Sequence, residues 1–183
     1  MFNIYIDADS LPKTHRAIVL KRIVKEYSSI GECIFASDRV LRDVIVARDS
    51  HTASLRLPYK DTLEKSELRK IKSNINMVVV PIGSNSADDY LVENSKEPAI
   101  AITHDVPLAN RLAMKNIVVL DDRGGVYTKE NIKERLSDRN FMTALREMGY
   151  ESEKNKSFDQ KTINEFSQAL DAIINKYKKE YCL

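Results

Sequence analysis

Ala99-Ile100-Ala101-Ile102-Thr103-His104-Asp105-Val106-Pro107 passes within one short stretch from an apolar run to a carboxylate and then to a proline. The run is brief and unbroken, as a strand covered on both faces of a sheet requires. Aspartate is a favoured helix N-cap and proline is favoured in a first turn, so Asp105 and Pro107 predict a helix directly after the strand. The reading is strand, carboxylate at its carboxyl end, helix. In an open parallel sheet that is the edge where ligands bind.

The same unit recurs along the chain. Short runs rich in β-branched residues predict strands at Asn3 to Ile6, Cys33 to Ala36, Met77 to Pro81, Ala99 to Thr103 and Ile117 to Leu120. Helical patterns lie between them, and this alternation predicts an α/β fold with a central, mostly parallel sheet flanked by helices. Leu20, Ile23, Val24 and Tyr27 fall on one stripe of a helix opened by Pro12. Asp61 to Asn74 is charged and helix-prone, anchored by Leu63, Leu68 and Ile71. Asp49 to Lys60 has no firm period, and Ser54-Leu55-Arg56-Leu57 alternates like an edge strand. Thr128 is expected to cap a helix through Asn131 to Met148, with Gly149 ending it. Glu151 to Ser157 reads as a polar surface linker, and Ser157-Phe158-Asp159-Gln160 as a capping box. Ile163, Phe166, Leu170 and Ile173 mark the inner face of the last helix. The expected organisation is one α/β domain over residues 1–150, with 151–183 a linker and a C-terminal helix packing on that same domain.

Composition narrows the function classes. Charged residues make up 31% and hydrophobic residues 43% of the 183-residue chain, a balance that folds rather than stays disordered. The net charge of +2 implies no polyanion by itself, so any nucleic-acid footprint must come from local clustering. No membrane partner is expected, since no segment has the apolar length a span needs. The start shows no secretion signal, and Cys33 and Cys182 form no C-x-x-C pair; the expected compartment is the cytoplasm.

Carboxylates follow the predicted strands in order: Asp7 and Asp9, then Asp88 and Asp89, then Asp105, then Asp121 and Asp122. Taken singly, Asp9, Asp88 and Asp105 read as helix caps. Jointly they crowd one sheet edge, where like charges repel unless a cation neutralises them. Asp7, Asp9, Asp88 and Asp105 are the candidate catalytic and metal-ligating residues, with Asp89, Asp121 and Asp122 as secondary metal-site candidates. Oxygen-only donors suit one or two Mg²⁺ or Mn²⁺ ions, while His15, His51 and His104 lack the paired spacing of a zinc site. Such ions at an open sheet edge serve phosphodiester hydrolysis. Ser10, Thr103 and His104 are candidate phosphate contacts, although His104 is expected to point away from Asp105, its neighbour on an extended chain.

Several motifs in a fixed order extend this reading: Asp7-Ala8-Asp9 with Pro12; Ala87-Asp88; Thr103 with Asp105, Pro107, Leu108 and Ala109; Arg123-Gly124; Tyr127-Thr128 with Asn131-Ile132; Arg135-Leu136; and Arg139 through Phe141, Met142, Leu145 and Arg146. Through them the chain resembles the YaiI/YqxD family of bacterial proteins, whose fold is considered similar to that of PIN-domain nucleases. The resemblance implies a three-layer PIN-like fold and a metal-dependent nuclease centre at Asp7, Asp9, Asp88 and Asp105. The chain departs from the pattern at Asp89, where an amide is expected, at Asp122, where proline is common, and at His104, where a small residue is common. Residues 39–74 diverge, which leaves Asp38 and Asp43 without an assigned role.

Arg135, Arg139 and Arg146 share one helix face near Arg123, a stripe suited to a phosphate backbone or simply to solvent. RNA, or another single-stranded nucleic acid, is the expected partner. A rival reading takes Asp7-Ala8-Asp9-Ser10 as the opening motif of a haloacid-dehalogenase-like phosphatase, with Asp7 as nucleophile and Asp121-Asp122 as metal site. A third is a PIN-like module that binds RNA or protein without catalysis.

Overall fold

The first strand, β1 (Phe2–Asp7), explains the architecture. Its side chains alternate between two buried environments: Phe2, Ile4 and Ile6 enter one apolar cluster and Tyr5 the other. A strand buried on both sides needs helices on both sides. The computed structural model describes residues 1–81, 86–150 and 159–182 and supplies them. After β1 come α1 (Lys13–Lys25), β2 (Ile30–Ser37), α2 (Arg42–Arg56), α3 (Lys65–Leu68), β3 (Ile75–Val79), α4 (Ser86–Asn94), β4 (Ala99–Ile102), α5 (Val106–Ala113), β5 (Val118–Leu120), β6 (Val126–Tyr127), α6 (Ile132–Glu147) and α7 (Gln160–Tyr181).

The strands form one sheet in the order β3-β2-β1-β4-β5-β6. All pairings are parallel except the last, between β5 and β6. On one face, Val19, Leu20 and Ile23 of α1, Val44 of α2 and Phe166, Leu170 and Ile174 of α7 pack on Ile4, Ile6 and Phe35. On the other, Leu91 of α4, Leu108 and Leu112 of α5 and Ile132 at the start of α6 pack on Tyr5, Ala101 and Val119. The result is a three-layer α/β fold. Strand order runs outward from β1 in one direction and from β4 in the other, so the chain reverses between these two neighbours. At such a switch point the connections leave on opposite faces and open a crevice at the carboxyl ends. Asp7 ends β1, and Thr103 to Asp105 follow β4.

Several local expectations are corrected. Ser54-Leu55-Arg56-Leu57 is not an edge strand; it is the end of α2 running into a 3₁₀ turn at Leu57–Tyr59. Only Val44 and His51 of α2 are buried, so the helix carries no apolar stripe that periodicity could detect. Within Asp61 to Asn74 the helix is confined to Lys65–Leu68. Val24 is 40% exposed, and the buried stripe of α1 is His15, Val19, Leu20 and Ile23. Thr128 does not cap α6 with its side chain: its carbonyl receives the Ile132 N–H, and Asn131 is the boundary residue. Asp159 caps α7, accepting the Thr162 N–H at 2.8 Å. The predicted linker and the Ser157-Phe158 half of the capping box lie outside the described residues.

Gly149 ends α6 as expected. It adopts φ +87°, its N–H bonds Arg146 and that of Tyr150 reaches back to Leu145, the paired bonds of a Schellman cap. Of α6 itself, Ile132 is the single buried residue.

Candidate functional site

Asp7 is 5% exposed. The hydroxyl of Thr103 donates to its Oδ2 at 2.7 Å, and the Ser10 N–H approaches Oδ1 at 3.4 Å. One hydroxyl thus ties the carboxyl end of β1 to that of β4. Thr103 Oγ1 also accepts the Asp105 N–H at 2.9 Å, while Asp105 Oδ1 caps α5 by accepting the Leu108 N–H at 2.8 Å. The capping role of Asp105 and its place at the site coexist.

Asp88, in the first turn of α4, faces these two carboxylates. Burial and then the charges of Asp7 and Asp105 push its carboxyl from 3.8 up to about 6. Burial likewise raises the Asp7 carboxyl above the usual carboxylate range, against the hydrogen bonds from Thr103 and Ser10. Asp88 therefore comes within electrostatic reach of both Asp7 and Asp105, and the three arise from three separate βα connections.

The other acids serve different partners. Asp9 is drawn toward β2: its Oδ1 accepts from the Ser37 hydroxyl at 2.7 Å and its Oδ2 from the Asp38 N–H at 2.7 Å. Asp89 pairs with Arg111 at 2.7 Å. Asp121 holds the β5–β6 turn together, accepting the N–H groups of Arg123 and Gly125 on one oxygen and the Tyr127 hydroxyl on the other. Burial and then the Asp121 bond and charge push the Tyr127 phenol up to about 12. Asp122 is 3% exposed and takes the His104 imidazole at 2.8 Å. Asp121 is thus engaged within the β5–β6 turn and Asp122 by His104.

Among the described residues no group of three or more acids, histidines or cysteines is placed to hold a metal ion. The donor chemistry of Asp7, Asp88 and Asp105 still fits a hard cation. Mg²⁺ keeps several waters and is commonly held by one or two carboxylates, and an ion there would offset both the burial of Asp88 and the charges of Asp7 and Asp105 beside it.

Beside the acids opens a cleft of about 450 Å³. Ser10, His104, Asp105 and Val106 line one wall, Arg123 contributes from the β5–β6 turn, and Arg135, Asp138, Arg139, Met142, Thr143 and Arg146 line it from α6. His104 borders the same cleft as Asp105, contrary to the opposite-sides expectation. The strand has ended by then, and the Ser10 hydroxyl accepts the His104 N–H at 3.1 Å, so alternation no longer governs. The hydrogen bond to Asp122 raises the His104 imidazole above its ordinary value. His104 and Asp122, two positions that depart from the resembled pattern, are thus bonded to each other. Sequence reasoning did not foresee that pairing, nor Asp138 in the cleft.

Three comparisons place the chain. The sequence profile of the family described as "Uncharacterized BCR, YaiI/YqxD family" matches residues 62–176. A relative named "UPF0178 protein" from Treponema denticola is 35% identical over 97% of this chain and 94% of its own length. Another UPF0178 protein, from Pseudomonas entomophila, is 32% identical over 96% of this chain and 98% of its own. No solved structure matches. A profile spanning more than half of the sequence, with relatives alike along nearly its whole length, means that the chain belongs to the YaiI/YqxD family.

Proposed function

We propose that the protein is a nuclease dependent on Mg²⁺ or Mn²⁺ that hydrolyses phosphodiesters of RNA or another single strand. The observation that carries this reading is that Asp105 belongs at once to the acid group with Asp7 and Asp88 and to the wall of an arginine-lined cleft. Acids without basic neighbours would repel a phosphodiester, and arginines without the acids would bind it and leave it intact. Their adjacency joins a place for a cation to a place for a polyanion.

In this reading one or two of Asp7, Asp88 and Asp105 hold the cation, with water completing its shell. Thr103 fixes the rotamer of Asp7, and Asp9 braces the β1 end against Ser37 and Asp38. When bound, the ion supplies an activated water and stabilises the leaving oxygen. Arg123, Arg135, Arg139 and Arg146 bind and orient the phosphate backbone, with Ser10 and His104 at the near end of the cleft.

The test uses labelled single-stranded RNA with Mn²⁺, with EDTA, and with the Asp7→Asn and Asp88→Asn variants. The expected result is metal-dependent cleavage that both substitutions reduce by about 100-fold or more. Binding of RNA without cleavage would instead support the non-catalytic module. Phosphate release from a generic phosphomonoester, with covalent phosphate trapped on Asp7, would support the phosphatase.

A further inference from the structure

The charge of the cleft is larger than a strand passing through it requires. Arg123, Arg135, Arg139 and Arg146 face two carboxylates there, Asp105 and Asp138, which leaves two positive charges within about 450 Å³. A phosphodiester brings one negative charge per nucleotide, whereas a terminal phosphomonoester carries close to two near neutral pH. The volume suits a small ligand or a single residue of a chain. Two of the four arginines are also uncommitted: among the described residues, neither Arg139 nor Arg146 makes a side-chain ion pair or hydrogen bond. Guanidinium forks bind phosphate oxygens two at a time, and three of these arginines rise from one face of one helix.

We propose that this cleft is a phosphomonoester-binding subsite that seats the phosphorylated end of a nucleic-acid strand beside Asp7, Asp88 and Asp105. The inference rests on the nuclease reading for its substrate class and deepens it: of the arginines that meet the strand, two meet its terminal phosphate. Arg139 and Arg146 grip the terminal phosphate, and Arg123 and Arg135 neutralise the approach to the acids.

The test is equilibrium binding in EDTA at one fixed salt concentration, so that no cleavage occurs and a failure of catalysis cannot be mistaken for a failure of end recognition. The full chain is titrated with one short single-stranded RNA carrying a 5′-phosphate, a 3′-phosphate or hydroxyls at both ends. The expected result is that one phosphorylated form binds about tenfold tighter than the hydroxyl form, and which form it is identifies the end. Arg139→Gln with Arg146→Gln should erase that preference while binding of the hydroxyl form falls only a few-fold. A Lys133→Gln control on the same helix should keep the preference. Equal binding of all three RNAs, no binding of any, or a preference that survives the double substitution would each overturn the proposal.

Discussion

Thr103 Oγ1 stands 2.7 Å from Asp7 Oδ2 and joins the two central strands at the point where the sheet reverses direction. The threonine is 1% exposed, so neither partner has water to replace the other. Thr103→Val keeps the shape and removes the donor. The expected cost is about 1–3 kcal/mol of stability, from a buried carboxylate losing its bond. Urea denaturation reads it directly, and an unchanged midpoint would show that Asp7 is solvated in a way the geometry denies.

The raised carboxyls of Asp88 and Asp7 give stability a definite pH dependence. In the unfolded chain Asp88 ionises near 3.8, and in the fold at about 6. Between those values the folded state holds more protons on Asp88 than the unfolded one, so this group's contribution to metal-free stability falls as pH rises from about 4 to about 6 and is flat beyond. Asp7 shifts in the same direction. Denaturation in EDTA across this range should show that decline as a falling stability of wild type relative to Asp88→Asn. A difference between wild type and Asp88→Asn that does not change across this range would contradict the electrostatics described.

A cation relieves the same repulsion. Saturating Mn²⁺ at pH 7 should raise the melting temperature by an amount corresponding to about 2–3 kcal/mol at a concentration near 100 times the dissociation constant. Asp88→Asn should remove most of that gain. An equal gain in wild type and variant would place the ion elsewhere.

The imidazole of His104 is raised above its ordinary value by its bond to Asp122. Its contribution to stability is therefore fully present below the unfolded value of about 6.5 and is lost as pH rises through the higher folded value. Proton NMR should find His104 titrating above the ordinary range, and Asp122→Asn should bring it back. A value that ignores the substitution would mean that the two side chains part in solution.

Gly124 sits at φ +87°, and a Cβ there would lie 2.9 Å from the Glu165 carbonyl oxygen of α7. Gly124→Ala meets both a disfavoured backbone region and a rigid neighbour. The expected loss is about 1–3 kcal/mol, read as a lower urea midpoint with an unchanged slope.

Much of the fold was legible because buried parallel strands have a plain signature. Val118-Val119-Leu120 and Ala99 to Ile102 are short apolar runs that permit little else. The convergence of Asp7, Asp88 and Asp105 followed from the same rule, since carboxyl ends of parallel strands share an edge. Where tertiary contacts decide, the pattern was silent. α2 buries Val44 and His51, with Ala47 half-buried against the core, and its last turn is outside that contact, so there the sequence mimicked an alternating strand. β6 is Val126 and Tyr127 only, and it exists because the Asp121 turn folds it back on β5. Asp9 and Asp121 have the composition of ligands, yet Asp9 accepts from Ser37 and Asp38 at the end of β2 and Asp121 from the amides of its own turn, pairings that no local pattern announces.

The sparse burial of α6 has a consequence for its local stability. The helix is pinned at its heel by Ile132 and closed at its tip by Gly149, and no other residue of it is buried. Leu136 and residues 143–145 are half-covered, so the helix rests on its neighbours through little apolar surface and its arginines stand in solvent along the cleft. Amide exchange along residues 133–147 should consequently be faster than in α5, whose inner face is sealed by Leu108, Ala109, Leu112 and Ala113.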